Sequence, residues 1–254
     1  MNTHRILTVA LTLLAITASG CAMERDIASG ATGELSTRPY FDVFRGEGGD
    51  HYFNLRAANH EIILQSQGYS SRTAALNGFL SVLDNGELYG RYEVRPANDG
   101  TWYFVLESRN GRVIGISETY VSRSNAERGV STVVRNVGNY LDWQANRTGA
   151  RFDVFRGTDG RYYFNLHAAN GEIVLVSQGY SSEESAYNGT FSVADNGIFE
   201  TNYDLNDSAD GGAYFTLQAR NGQTIGVSET YSTRSNARRG CDSVIALLPD
   251  VDLL

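Results

Sequence analysis

The sequence predicts an α+β protein of four β-β-β-α repeats arranged as a duplicated pair, with antiparallel meander strands and one helix per repeat. Three observations predict this. Residues 41–86 align without a gap on 152–197, and 102–129 align at the same offset on 213–240, so the chain is a duplicated pair. Within each pair the two units match again, with Tyr69 over Tyr120 and Ser66 over Ser117. Inside every unit the apolar period changes from two to about 3.6, which marks strands followed by a helix.

The chain opens on a targeting segment. His4 and Arg5 precede an apolar run from Ile6 to Ile16, too short to span a bilayer as a helix. Ala18-Ser19-Gly20-Cys21 resembles the lipobox of bacterial lipoproteins. The resemblance implies that residues 1–20 are a signal peptide, that Cys21 is lipidated, and that the protein is membrane-anchored. Several acyl chains on one residue make such anchoring stable. Ala22 stands where Asp would divert sorting, so the expected location is the outer membrane. Residues 21–39 are polar, rich in Ser, Gly, Thr and Ala, and read as a flexible tether.

The third unit shows the repeat most clearly. Phe152–Phe155 reads as a first strand and Thr158-Asp159-Gly160 as a turn. From Tyr162 the pattern alternates, with Phe164, Leu166 and Ala168 on one face and Tyr163, Asn165 and His167 on the other. Asn170-Gly171 reads as a two-residue hairpin turn. Residues 172–177 form the third strand, apolar on both faces. Ser181, three before Glu184, predicts a capping box at the helix start. Ala186, Gly189, Thr190 and Val193 then form a helical stripe. The stripe recurs as Ala75, Gly78, Phe79, Val82; as Ala126, Gly129, Val130, Val133; and as Ala237, Gly240, Cys241, Val244. Glycine costs a helix about 1 kcal/mol relative to alanine, so four at one position predict close packing. Cys241, aligned with Phe79, Val130 and Thr190, is expected to be a small buried hydrophobe.

The repeated phrase around YFNLHAANGEIVLVSQGYSS resembles the YegP-type family of bacterial domains of unknown function, which occur in tandem. The resemblance covers all four units and implies pairs at residues 40–137 and 151–248, each closing one pseudo-twofold domain, with antiparallel meander sheets, in which strands are shared. Between them, 138–150 is expected to be a linker, with Tyr140, Leu141 and Trp143 too apolar to be free; sugar stacking by Trp143 is the alternative. Residues 249–254 are expected to be a tail. The second and fourth units depart from the family phrase, and Asn59-His60 replaces Asn-Gly in the first.

Composition excludes several functions. The net charge is −8 and all 21 basic side chains are Arg, so neither a nucleic-acid footprint nor lysine chemistry is present. The His and Cys spacing fits no metal site, and no cofactor is expected. The Asp and Glu residues fall mostly in turns and helix starts, so no catalytic residue is assigned and the protein is expected not to be an enzyme. The best recognition cluster is Glu118, Tyr120 and Arg123, repeated as Glu229, Tyr231 and Arg234 at a strand-to-helix junction; capping the helix and bridging the pair is the other reading. The expected function is a membrane-anchored envelope module that binds a polysaccharide, peptidoglycan or a protein partner. The alternative is an envelope glycan or peptide hydrolase with an acid pair formed between repeats, and a third reading is a structural protein meeting partners through sheet edges.

Overall fold

The computed structural model describes residues 38–251 and 253. The signal peptide, Cys21 and nearly all of the tether therefore lie outside the described residues. The first unit comprises β1 (Tyr40–Arg45), β2 (His51–Arg56), β3 (Ile62–Gln65) and α1 (Arg72–Asn85). The second comprises β4 (Tyr92–Pro96), β5 (Trp102–Glu107), β6 (Val113–Ile116) and α2 (Arg123–Asn146). The same order follows in β7 (Arg151–Arg156), β8 (Tyr162–His167), β9 (Ile173–Val176) and α3 (Glu183–Asn196). The last unit is β10 (Tyr203–Asp207), β11 (Ala213–Gln218), β12 (Thr224–Val227) and α4 (Arg234–Leu247).

Each pair of units closes one antiparallel six-stranded sheet, in the orders β1-β2-β3-β6-β5-β4 and β10-β11-β12-β9-β8-β7. The units meet at the third strands through a narrow bridge, Gln65 opposite Ile116 and Val176 opposite Val227. Large-to-small complementarity fixes this junction. A Cβ on Gly115 would lie 2.7 Å from Leu64, and one on Gly226 would lie 2.4 Å from Leu175. Leu64 and Gly115 are equivalent positions of their units, so a leucine from one fills the space that a glycine leaves in the other. Two leucines would collide there and two glycines would leave a void.

Both helices of a pair cover the same sheet face. The predicted stripes lie against it: Ala75, Phe79, Val82, Ala126, Val133, Ala186, Val193, Ala237 and Val244 are fully buried. The sheet contributes Phe53, Leu55, Leu64, Phe104 and Leu106 in one pair, and Phe164, Leu166, Leu175, Phe215 and Leu217 in the other. Cys241 sits in this layer, and burial pushes its thiol up to about 11. Native protein at pH 8 is therefore expected to resist dithionitrobenzoate and to react only after unfolding. Fast labelling of the folded chain would place the thiol at the surface instead.

Three local expectations need correction. The helix cap is Ser182, not Ser181: its hydroxyl accepts from Ser185 N at 3.2 Å. Tyr180 is still paired with Tyr162 across the sheet, which keeps the chain extended through Ser181. Ser71, Ser122 and Thr233 cap the other helices, whereas the residue before Ser122 is Val121, which cannot cap. The Asn-Gly turn is a three-residue loop, because Ala168 N donates to Glu172 O and Gly171 N to Ala168 O. Gly171 alone has positive φ (86°), while Asn170 Oδ1 accepts from Glu172 N.

In the first unit His60 takes that left-handed position at φ 68°. Relief of this strain by His60→Gly should stabilise by about 1 kcal/mol, less the Tyr40 Oη to His60 Nδ1 contact at 3.2 Å. A higher melting temperature is expected; a lower one would make the tyrosine contact the larger effect.

The third correction concerns the linker, since 138–146 continue α2. Tyr140 is fully buried, edge-on to Phe41 at 5.0 Å and to Phe79 at 6.2 Å. It therefore completes the core of its own pair. The expected tail does the same in the second pair. Leu248 fills the space beside Gly197 as Val137 does beside Gly86, and Val251 and Leu253 are buried.

The two pairs dock through α1 and α3. Thr73 bonds Asn188 at 3.2 Å and Asn77 Nδ2 donates to Glu184 at 2.7 Å. These contacts exchange under the 111-residue repeat, so the interface is isologous. Arg72 lies over the Phe191 ring at 4.0 Å and reaches Asp195 at 3.6 Å. At the opposite end, Glu183 replaces Arg72 and faces Asp84. Partial burial, then the Asp84 charge, raise the Glu183 carboxyl above its ordinary range. The folded state thus holds this proton more tightly than the unfolded chain, and stability falls as pH rises through the window above the ordinary glutamate value. Glu183→Gln should raise the melting temperature at pH 7 and leave it unchanged near pH 4. An equal gain at both values would rule out the charge as the cause.

Candidate functional site

The helices leave the other face of each sheet without a protein layer of its own elements, and strand pairing sets what that face presents. One row crosses the second sheet as Asp153, Asn165, Val176, Val227, Thr216 and Asp204. The equivalent row of the first is Asp42, Asn54, Gln65, Ile116, Val105 and Glu93. Each row ends in an acid, and each acid has a different partner. Asp42 pairs with Arg56 at 2.7 Å and Asp153 with His167 and Arg151 at 3.1 Å. Glu93 and Glu107 share Arg95, and Gln218 donates to Asp204. Arg95 holds the Glu93 carboxyl below its usual range, the opposite of what a general acid at neutral pH requires.

At one end of each face lies an aromatic ledge. Phe44 and Tyr52 are cross-strand neighbours with near-parallel rings, 5.6 Å between centroids and 19° between planes. Phe155 and Tyr163 repeat this at 5.9 Å and 23°, and Phe155 is 44% exposed. Two glycines clear room for each tyrosine. A Cβ on Gly46 or Gly68 would come within 2.8 or 2.9 Å of Tyr52, and one on Gly157 or Gly179 within 2.7 or 2.9 Å of Tyr163. None of the four has positive φ, so steric room beside the ring is the reason for glycine there. Tyr163 donates to Asp159 at 2.7 Å; the bond holds that carboxyl low and the phenol high.

The sequence-predicted cluster does not converge. Tyr120 and Tyr231 turn toward the helix layer, stacked on Phe104 at 6.1 Å and Phe215 at 6.3 Å, with their hydroxyls against Gly129 and Gly240. Tyr69 and Tyr180 do the same in the other units. Glu118 points to the opposite side, where it lines a depression of about 570 Å³ over the β3–β6 junction with Arg56, Glu61 and Gln65. Arg123 pairs with Glu127 on its own helix at 3.0 Å. Arg234 instead bonds Asp207 at 2.9 Å and Leu205 O at 3.0 Å, and Glu229 is exposed. The two copies thus hold their arginines differently.

Two cations lie near Trp143, the Arg38 guanidinium 3.4 Å and that of Arg147 5.7 Å from its ring centre. Its near face is covered, so it offers no sugar platform there. Among the described residues no group of three or more His, Cys, Asp or Glu could hold a metal ion, and no helix is long and apolar enough to cross a membrane.

The chain is 46% identical over 95 residues to the UPF0339 protein PA0329 of Pseudomonas aeruginosa, a match covering 37% of this chain and 86% of that one. To the UPF0339 protein YegP of Yersinia pestis it is 44% identical over 97 residues, covering 38% and 87%. Among solved structures, yegP from E. coli, described as a protein of unknown function, matches at 35% identity with a TM-score of 0.38, covering 40% of this chain and 88% of that one. These relatives match about one pair of units. The family model for a domain of unknown function, DUF1508, matches four times, at residues 47–93, 97–139, 158–204 and 208–253. Each match starts after the first strand of a unit, so the family segment is the same repeat read from a different starting point. With matches spanning most of its length, the chain belongs to the DUF1508 family of tandem-repeat domains of unknown function.

Proposed function

We propose that this protein is a bacterial envelope lipoprotein, held in the outer membrane by lipidated Cys21, whose folded part is a non-catalytic binding module. The observation that carries the binding role is duplication of a sheet face that bears no helix: each pair has the same acid-ended row and the same aromatic ledge there. Two matched surfaces on one chain suit a repetitive polymer, because the second contact forms at high effective concentration. A polysaccharide or peptidoglycan of the envelope is the partner class. The hydrolase alternative finds no support in the rows, whose end acids lie five strand spacings apart, about 24 Å at the usual spacing, against the roughly 5–10 Å that glycoside hydrolysis uses.

The test is expression with the native leader beside Cys21→Ala, followed by intact mass, membrane fractionation and co-sedimentation with purified peptidoglycan. Acylation and membrane association that both disappear in the variant, together with sedimentation without release of fragments, are expected. A soluble, unmodified product would overturn the anchor, and fragment release would overturn the non-catalytic reading.

A further inference from the structure

Both glycines beside the ledge tyrosine occur in the first and third units but not in the second and fourth. At positions equivalent to Gly46 and Gly68 the second unit has Ala97 and Thr119, and at those of Gly157 and Gly179 the fourth has Ser208 and Thr230. The phenylalanine is lost as well: Arg95 and Asn206 stand opposite Tyr103 and Tyr214. Three positions in each unit, two of them at the end of the first strand and the third 22 residues further on, therefore change together, and all three lie against one ring. Core packing does not account for this, because the ledge lies on the sheet face away from the helices. The rings that fill the core, Phe53 and Phe164, are the neighbours of Tyr52 and Tyr163 on the other face.

We infer that the Phe44–Tyr52 and Phe155–Tyr163 ledges are two equivalent sugar-binding platforms, each stacking a pyranose ring of a neutral, β-linked glycan chain. The inference rests on reading the folded part as a glycan-binding module and assigns the residues that bind. Half-buried aromatic rings supply a flat apolar surface for the C–H face of a sugar. Asp159, beside Tyr163, is an acceptor for sugar hydroxyls at the platform edge. A net charge of −8 disfavours polyanionic glycans. β-linked pyranoses with equatorial substituents present broad flat faces, which is why this class fits a ledge better than a closed pocket would.

The experiment titrates the mature full-length protein, solubilised in detergent, with chitohexaose by calorimetry and repeats the co-sedimentation with peptidoglycan. Phe44→Ala and Phe155→Ala should each weaken chitohexaose binding severalfold, and the double variant by about tenfold or more, as loss of two linked sites requires. Gly179→Ala, which crowds Tyr163 without removing a ring, should reproduce most of the Phe155→Ala effect, while circular dichroism and melting temperature stay near those of the parent. Arg123→Ala with Arg234→Ala should leave binding unchanged.

Peptidoglycan binding that survives the double Phe variant would overturn the platform assignment and leave the binding module standing. A loss that follows the arginine variants instead would move the site to the strand-to-helix junctions. Failure of the parent protein to bind either probe would overturn both readings.

Discussion

Replacing Gly78 by alanine is expected to destabilise the protein by about 1–3 kcal/mol, the usual cost of overpacking a close-packed site. Glycine to alanine inside a helix ordinarily stabilises by about 1 kcal/mol, so even the sign of the change is diagnostic. The added Cβ would sit 2.1 Å from the Tyr69 hydroxyl and 2.9 Å from the Phe53 ring. Tyr69 cannot simply swing away, because its ring is stacked on Phe53 at 6.2 Å and its backbone is bridged to His51. The equivalent changes at Gly129, Gly189 and Gly240 meet Tyr120, Tyr180 and Tyr231 at 2.3–2.5 Å and should behave alike. Urea unfolding of the four single variants measures the effect. Adding Tyr69→Phe to Gly78→Ala should recover part of the loss, since the hydroxyl is the nearest obstacle. Stabilisation by Gly78→Ala would mean that the tyrosine has room to move and that the glycine is retained for another reason.

This stripe also shows how far the sequence could be read. Four glycines at one helical position announced a close approach, and the helices do lie tight on their sheets. The obstacle, however, is a tyrosine inserted from the preceding turn, and its recurrence at 69, 120, 180 and 231 was visible without being linked to the glycines. That missing link placed Tyr120 and Tyr231 in a recognition cluster, whereas the structure turns them toward the helix layer. Periodicity tells which side of a strand or helix is apolar, but a residue in the turn between them belongs to neither pattern.

Docking of the two pairs had a readable signal as well. At positions 80 and 191 the first and third units carry Leu and Phe, and their second- and fourth-unit equivalents are Ser131 and Asp242. Those extra apolar positions make the α1 and α3 helices sticky on a second side. A single stripe suffices to cover a sheet, so a second one requires a second partner. The Leu64–Gly115 complementarity was legible in the same way, as a large and a small residue at one repeat position. Comparing equivalent positions for what differs, rather than for what is shared, would have found both features and the aromatic ledges too.

Tyr140→Ala tests the boundary that the sequence placed wrongly, and it should cost about 3–5 kcal/mol, the usual penalty for removing a fully buried aromatic ring. A linker residue would cost almost nothing. Tyr140 lies edge-on to both Phe41 and Phe79, contacts Trp143 at 5.7 Å and accepts from Gln144 through its hydroxyl at 2.8 Å. Its apolar neighbours read as linker decoration because helical periodicity is hard to see once a helix outruns the sheet it covers. In the second pair the position 111 residues later is Val251, where Pro249 has already ended the helix and a short 3₁₀ turn brings Val251 and Leu253 into the core. The same gap is thus closed by one large ring in the first pair and two smaller side chains in the second. Both tryptophans, Trp102 and Trp143, belong to the first pair, so their fluorescence reports on that pair alone. In Tyr140→Ala the fluorescence transition should move to lower temperature and separate from the circular-dichroism transition of the second pair. Coincident transitions, both shifted, would show instead that the α1–α3 interface makes the two pairs unfold as one unit.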